Sequence, residues 1–232
     1  MRIDKYLIHS GLSKKEVTSL IKEERILLND QVLKSHTVNI DENIDMIKID
    51  GKTIEYKEFH YIIINKPEGY VCASSDKDNP TIVSLLKGYE NIKLNPVGRL
   101  DKDTTGLVLL TNNKSLLHFQ ANPKNLITKE YLVEVNHPLK EELIAKFKEG
   151  IDLGDFTTRS ASLIFIDEYH TYITLDEGKF HEIKRMFDHF GYEVMKLHRT
   201  RIGFLELSNL KPGEYQELTK EQILQIESDI NK

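Results

Sequence analysis

The sequence predicts an α+β protein, in which a small N-terminal domain (residues 1–57) precedes a larger domain (residues 58–232) built on a mixed, mainly antiparallel sheet with flanking helices. The chain is 39% hydrophobic and 30% charged, so it has enough apolar surface to offset the entropy lost on folding. The pattern also changes after Glu58. Two helices and short strands are predicted before this residue, whereas several strand-like runs follow it with no helix between them long enough for a parallel crossover.

The N-terminal domain begins with two predicted helices. Ile3 and Leu7 lie at helical spacing, and the second helix begins at Ser13, which forms a capping box with Glu16. Two short strands follow, at 26–28 and 46–49, and each ends in a turn. A unit of this size is marginally stable alone, because little of its surface can be buried.

In the larger domain, apolar runs predict strands at 61–65, 107–111, 131–135, 162–166, 171–175, 194–197 and 202–207. Helical spacing predicts helices at 81–86, 114–119, 139–149, 180–190 and 220–228. Consecutive strands without long crossovers favour antiparallel neighbours, with the helices packed on the sheet.

Composition excludes several classes of protein. No apolar run approaches the roughly 20 residues that a membrane helix needs, and the charged N-terminus lacks the apolar segment of a signal peptide. The single cysteine, Cys72, excludes an internal disulfide framework and a cysteine-based zinc site, and the histidines show no zinc-like spacing. We therefore expect a cytoplasmic protein with no membrane partner, no metal and no cofactor.

The charge distribution is compatible with RNA binding despite a net charge of −5. Residues 1–34 contain seven Lys and Arg against five acids, and residues 179–201 contain six against three. Two basic faces on an acidic protein fit a nucleic-acid partner, although ordinary solvated charge explains the same counts equally well.

The loop from Gly98 to Gly106 is the most informative motif. Its two glycines let the backbone approach a ligand closely, and Asp101 between them is a carboxylate that can act as a nucleophile without a separate base. Two other interpretations stay open, a structural Asx-turn and a calcium loop. Calcium is disfavoured, because Asn112 stands where the bidentate glutamate of such a loop belongs.

Five segments, in this order along the chain, resemble the motifs of RNA pseudouridine synthases: 65–69 (NKPEG), 98–107 (GRLDKDTTGL), 129–131 (KEY), 178–186 (GKFHEIKRM) and 197–203 (LHRTRIG). Residues 1–50 resemble an S4 RNA-binding domain. An S4 domain ahead of this core resembles the RsuA-type branch of the family, which modifies ribosomal RNA. The resemblance thus implies a pseudouridine synthase fold and an isomerase.

The resemblance also implies roles. Asp101 would be the essential carboxylate, which either attacks the ribose C1′ or removes the C2′ proton of a flipped-out uridine; the glycosidic bond then breaks, and the uracil rejoins through C5. Tyr131 would stack on the uracil, although an aromatic residue on a strand is more often part of the core. Lys184 would pair with Asp101 and keep it ionised.

The remaining expected contacts fall into two sets. Substrate-binding residues would be Arg99, Thr105, Leu197 and Arg185. RNA-binding residues of the N-terminal domain would be Arg2, Lys5, Lys14, Lys15, Lys22 and Arg25, which contact phosphates and position the RNA. Glu182 departs from the family, which often has Gln there, and we expect it to point away from the site or to pair with Arg185 or Arg199.

The expected substrate is 16S RNA in a partly assembled small ribosomal subunit, with the family's target uridine 516, because residues 71–81 resemble the small-subunit enzymes. Two alternatives stay open: a 23S RNA synthase with the same chemistry, and a catalytically inactive S4-domain RNA-binding protein. A free nucleoside hydrolase would leave the S4-like domain unexplained. We expect a monomer.

Overall fold

A computed structural model describes residues 1–230, which divide into two compact units. The first contains residues 1–60 and 86–94, and the second contains residues 61–85 and the chain from residue 95 onward. The sequence places the domain boundary at 57/58, close to the first of these divisions. Nothing in the sequence pattern predicts that 86–94 groups with the N-terminal unit.

The N-terminal unit contains two helices and four short strands: α1 (Ile3–His9), α2 (Lys14–Lys22), β1 (Ile26–Leu28), β2 (Gln31–Val32), β3 (Ile47–Ile49) and β4 (Lys52–Thr53). The strands form an antiparallel sheet in the order β2-β1-β3-β4. The predicted capping box is present at the start of α2, where Ser13 accepts from the amide of Glu16 and the Glu16 carboxylate accepts from that of Ser13. Apolar side chains from both helices and the sheet form one buried core.

The larger unit contains four helices: α3 (Lys114–Ala121), α4 (Glu142–Glu149), α5 (Glu182–Asp188) and α6 (Lys220–Ile230). Its nine strands are β5 (Tyr61–Lys66), β6 (Asn95–Val97), β7 (Thr105–Thr111), β8 (Lys129–Val135), β9 (Ser162–Phe165), β10 (His170–Leu175), β11 (Val194–Ile202), β12 (Leu205–Glu206) and β13 (Tyr215–Glu217). All nine belong to one sheet, in which seven strands follow the order β13-β5-β7-β11-β8-β10-β9, while β12 pairs with β11 and β6 pairs with β7. This mixed architecture confirms the predicted fold class.

The centre of the sheet brings together segments that are distant in sequence. β7 and β11 run parallel and pair at two positions only, His198 with Thr105 and Arg199 with Gly106, whereas the other neighbours are antiparallel. On the same edge of β7, residues 109–111 pair with β6. Gly106 lies at φ +106°, and a Cβ there would overlap the backbone of Arg199, so this close pairing requires glycine.

Helices and strands differ from the sequence prediction in a few places. The helix expected at 81–86 is a 3₁₀ turn over Ile82–Leu85. The strand expected at 202–207 is divided by a turn at 203–204, and the short strands β6 and β13 carry too few residues to show a periodic pattern. Within residues 1–230, no helix is long and apolar enough to cross a membrane.

Candidate active site

A buried lysine holds the loop that carries Asp101. Lys66, at the end of the fully buried strand β5, is 0% exposed, and burial lowers its pKa. Its Nζ donates hydrogen bonds to three carbonyl oxygens, those of Pro67 (3.2 Å), Lys102 (3.1 Å) and Thr104 (2.6 Å). The ammonium therefore fixes the backbone on the C-terminal side of Asp101, because each of its three protons has an acceptor.

Two cationic or titratable side chains from the start of α5 face the carboxylates of this loop. The Lys184 Nζ lies 3.7 Å from Asp101 Oδ2, and it donates shorter hydrogen bonds to both carboxylate oxygens of Asp103, at 2.7 and 2.8 Å. The His181 Nε2 lies 3.5 Å from Asp101 Oδ1. The bond from Lys184 lowers the pKa of Asp103 below its ordinary value. Lys184 thus bridges two carboxylates, and its hydrogen bonds favour the ionised form of Asp103.

Tyr131 is oriented by a buried arginine. Arg199 on β11 is 2% exposed; its Nε donates to the carbonyl of Leu107 at 2.7 Å, and its Nη1 donates to the Tyr131 hydroxyl at 3.4 Å. The Tyr131 side chain is itself 7% exposed, on β8 next to β11. The ring therefore has a fixed position at the edge of the sheet core, with the hydroxyl already bonded.

The turn before α5 is closed by Glu182. This residue is 4% exposed, and its carboxyl accepts a hydrogen bond from the Lys179 amide at 2.8 Å. Burial, together with a hydrogen bond to the Glu177 carboxylate, raises the pKa of Glu182 to about 7. The expectation that Glu182 points away or pairs with Arg185 or Arg199 was wrong, because the buried turn offers it an amide donor and a second carboxyl group.

Several of these groups line one cavity of about 360 Å³, whereas Lys66, Asp103 and Arg199 lie outside its wall. Its wall includes Asp101, Tyr131, Lys184, Arg99 and Leu197, all of which the sequence assigns to the site. Apolar and charged walls thus meet around one carboxylate, in a space within the range of small-ligand pockets. The Tyr131 ring and the Leu197 side chain therefore line the same cavity as the Asp101 carboxylate.

Two expected substrate-binding residues lie outside the wall of this cavity. Thr105 bonds to His198 Nδ1 at 2.8 Å, because its strand position directs it to β11. Arg185 forms an ion pair with Asp155 and lies over the Phe156 ring, since it occupies another face of α5 than Lys184. The geometry therefore does not bring Thr105 or Arg185 to the substrate base.

The six expected RNA-binding residues of the N-terminal unit are all exposed. Two of them are already paired with carboxylates, Arg2 with Asp4 at 2.7 Å and Arg25 with Asp50 at 2.5 Å. The other four, which have no ion pair within the part of the chain described, are Lys5, Lys14, Lys15 and Lys22.

Comparison with known proteins identifies the family. A family model described as RNA pseudouridylate synthase matches residues 60–189, which contain the Asp101 loop, Tyr131 and Lys184. The chain belongs to this family. It is therefore an isomerase that converts uridine in RNA to pseudouridine, as the resemblance of its motifs implies.

Relatives of this pseudouridine synthase match it over nearly the whole chain. "Ribosomal small subunit pseudouridine synthase A" of Yersinia pestis is 36% identical and covers 97% of this chain and 98% of its own length. The protein of the same name from Vibrio vulnificus is 37% identical, with 96% and 98% covered. A solved pseudouridylate synthase with 36% identity superposes with a TM-score of 0.69 and covers 97% of this chain and 99% of its own.

Sequence reasoning missed three residues of this synthase's site. Asp103 is the nearer partner of Lys184, His181 faces Asp101, and Arg199 bonds to the Tyr131 hydroxyl. All three lie inside the motifs that carry the resemblance. The sequence pattern predicts strands at 194–197 and 202–207 and leaves Arg199 between them, so its burial within β11 carried no local signal.

The described residues contain no cluster of three or more His, Cys, Asp or Glu side chains that could hold a metal ion. Cys72 is buried behind the loop, where its sulfur accepts a hydrogen bond from the Leu100 amide at 3.3 Å. Burial raises the pKa of this thiol, which favours the unreactive protonated form.

Proposed function

We propose that the enzyme converts uridine 516 of 16S ribosomal RNA to pseudouridine while the RNA is part of an incompletely assembled small subunit in the cytoplasm. The names of the relatives above, which cover nearly all of the chain at 36–37% identity, support this substrate. The observation that carries the proposal is the position of Asp101 in a cavity lined by Tyr131, Leu197 and Lys184.

In the proposed reaction the target uridine leaves its stack and enters this cavity, where the uracil lies against the Tyr131 ring and the Leu197 side chain. Unstacking costs a few kcal/mol, which contacts in the pocket offset. Asp101 acts on the ribose, by attack at C1′ or by removal of the C2′ proton, and the glycosidic bond breaks. The uracil then turns, and its C5 forms the new bond to C1′. This bond displaces the Asp101 carboxylate from C1′ in the first route, or accompanies return of the proton from Asp101 to C2′ in the second. C5 then loses its proton and N1 gains one, so the product is an isomer of uridine.

Lys184 and His181 support this step by orienting Asp101, since the Lys184 Nζ lies 3.7 Å and the His181 Nε2 lies 3.5 Å from its two carboxylate oxygens. Electrostatic contacts of this kind are strongest where bound RNA excludes water. Arg99 carries a charge at the rim of the cavity, where it contacts the RNA backbone or fills the space that the flipped base leaves.

We further propose that residues 1–57 form an S4-like RNA-binding domain that positions the substrate. The unpaired lysines Lys5, Lys14, Lys15 and Lys22 are the donors for phosphate contacts, and Arg2 and Arg25 join them only by exchanging their present carboxylate partners. Such contacts set the register of the RNA and carry no base specificity.

The test is pseudouridine mapping of ribosomal RNA from cells with and without the gene, read as the reverse-transcription stop left by carbodiimide-modified pseudouridine. We expect one stop in 16S RNA to disappear and the intact gene to restore it. Asp101→Asn should not restore it, because the amide cannot act as nucleophile or base, and isomerisation should fall at least about 1,000-fold. Asp188→Asn, an exposed aspartate of the neighbouring helix, is the matched control and should restore the stop.

Loss of a stop in 23S RNA instead would keep the chemistry and replace the substrate. No change in either RNA, together with no turnover by purified protein on partly assembled subunits, would refute the proposed substrate and favour an RNA-binding role. Restoration by Asp101→Asn would remove Asp101 as the essential group.

A further inference from the structure

A second cavity adjoins the catalytic one within the larger unit. It measures about 500 Å³ and shares four wall residues with the catalytic cavity: Arg99, Tyr131, Gly178 and Lys179. We call it the flanking cleft. Among its other walls are the ends of β8 and β11, residues 120–123 at the C-terminal end of α3, and Arg159. Its volume lies within the range of sites that bind small ligands.

The flanking cleft is positively charged. Its wall contains five cationic side chains, Arg99, Lys129, Arg159, Lys179 and Arg199, and two acidic ones, Asp176 and Glu177. The acids offset two of the cations, because Arg159 lies 3.4 Å from Asp176, and Lys179 lies 3.2 Å from Glu177. Arg99, Lys129 and Arg199 are left without an ion-pair partner within the chain described.

Two of these unpaired cations are held in the wall with unused hydrogen-bonding capacity. The Nη2 of Arg199, a residue 2% exposed, has no hydrogen-bond partner within residues 1–230. The Nζ of Lys129 donates only to main-chain carbonyls, at 2.9 Å to Ile127 and 3.4 Å to Glu177, and burial lowers its pKa. The Lys129 ammonium has three protons and, among the described residues, only these two acceptors, so one proton is free for an anion that enters the cleft. Arg199, whose Nη2 is buried, adds positive charge behind the wall.

We propose that the flanking cleft binds the nucleotide next to the target uridine in the RNA chain, with its phosphodiester against Lys129 and Arg159. This inference rests on the proposed function, because the ligand is the neighbour of the uridine in the catalytic cavity. The continuous wall favours it, since Arg99 and Lys179, which the two cavities share, offer a cationic path for the next phosphate of a strand with one base in the first cavity. The base of this neighbouring nucleotide would not be paired with another base, as is the case for most RNA bases that proteins recognise sequence-specifically.

The test is binding of a single-stranded heptaribonucleotide with a central uridine, measured by fluorescence anisotropy over a range of KCl concentrations with the full chain. Arg159→Ala and Lys129→Met should each weaken binding about tenfold and reduce the slope of log affinity against log salt by about one. Asp176→Asn should strengthen binding several-fold, because it frees Arg159 for phosphate. An effect in this direction does not arise from damage to the fold.

Lys196→Ala is the matched control, since this exposed lysine lies outside both cavities and pairs with Glu134. Arg159 is also exposed, so its truncation leaves the fold intact and decides the test if Lys129→Met is unstable. The proposal would be overturned if Arg159→Ala and Asp176→Asn bind RNA with the same affinity and salt slope as Lys196→Ala. A second result would also overturn it: Arg159→Ala and Lys129→Met lose affinity for inorganic phosphate but keep their affinity for RNA. The cleft would then be a site for free anions.

Turnover on 16S RNA is measured separately with the wild-type chain. No turnover would refute the proposed substrate, whereas the salt slopes still decide whether the cleft binds a nucleotide. Normal turnover with unchanged slopes would refute the cleft alone.

Discussion

Replacing Glu182 by glutamine should stabilise the enzyme at neutral and alkaline pH. The carboxyl group is 4% exposed, accepts from the Lys179 amide and shares a hydrogen bond with Glu177. A glutamine can reproduce both bonds, because its oxygen accepts from the amide while its NH₂ donates to the Glu177 carboxylate. The substitution therefore removes only the charge that Glu182 acquires when it loses its proton.

The magnitude follows from the displaced pKa. Burial and the second carboxyl raise the pKa of Glu182 from 4.5 to about 7, so the folded protein retains a proton that the unfolded chain releases between these values. Stability contributed by this group therefore falls as pH rises from 4.5 to 7 and stays low above it. The full loss is about 3 kcal/mol, and the part that develops between pH 5 and pH 8 is about 2 to 3 kcal/mol.

The assay is urea unfolding at pH 5 and pH 8, followed by circular dichroism because the chain has no tryptophan. Glu182→Gln should gain about 2 to 3 kcal/mol over the wild type on going from pH 5 to pH 8, which corresponds to a rise in Tm of about 5–10 °C. Glu149→Gln, at an exposed position on α4, should show no such gain. A Glu182→Gln protein that follows the wild type at both pH values would refute the burial of a protonated carboxyl.

Three further substitutions test the site and its support. Lys184→Met should slow isomerisation about 100-fold, because Asp101 and Asp103 lose their shared cation; a single-turnover rate within twofold of wild type would contradict this. Gly106→Ala should lower the free energy of unfolding by at least about 2 kcal/mol and Tm by about 4–8 °C. Gly154→Ala, also at positive φ but in open space, should lose less, and equal losses would contradict the close pairing of β7 with β11. Phe187→Ala should lower the free energy of unfolding, measured in urea, by about 3–5 kcal/mol, because the centroid of this fully buried ring lies 4.9 Å from that of Phe147. A loss below about 1 kcal/mol would show that neighbouring side chains fill the space left by the ring.

Much of the fold was predictable from the sequence, because its signals are local. The capping box at Ser13 and the apolar run that begins at Tyr61 each depend on residues within one element, and both are present as predicted. The strands β6 and β13 have three residues each, so neither can show a period, and only their pairing with β7 and β5 defines them.

The site was predictable in its residue types and less so in its partners. The resemblance of the motifs assigns four residues to the site, and the structure places all of them in the wall of one cavity: Asp101, Tyr131, Lys184 and Leu197. Whether Lys184 lies nearer to Asp101 or to Asp103 depends on a difference of about 1 Å. That difference depends on the position of the loop backbone, whose carbonyls accept hydrogen bonds from Lys66, a residue distant in sequence. The burial of Glu182 was equally out of reach, because a glutamate is buried only where tertiary structure supplies donors for it.

The two-residue parallel pairing of β7 with β11 also sets when activity can arise. Arg199 reaches the carbonyl of a residue 92 positions earlier, and Lys184 reaches a carboxylate 81 positions earlier. Because synthesis proceeds from the N-terminus and such long-range contacts form late, a nascent chain has the Asp101 loop long before it has the opposite wall of the cavity. A growing polypeptide therefore has no activity on RNA until β11 (Val194–Ile202) has been synthesised and has paired with the sheet.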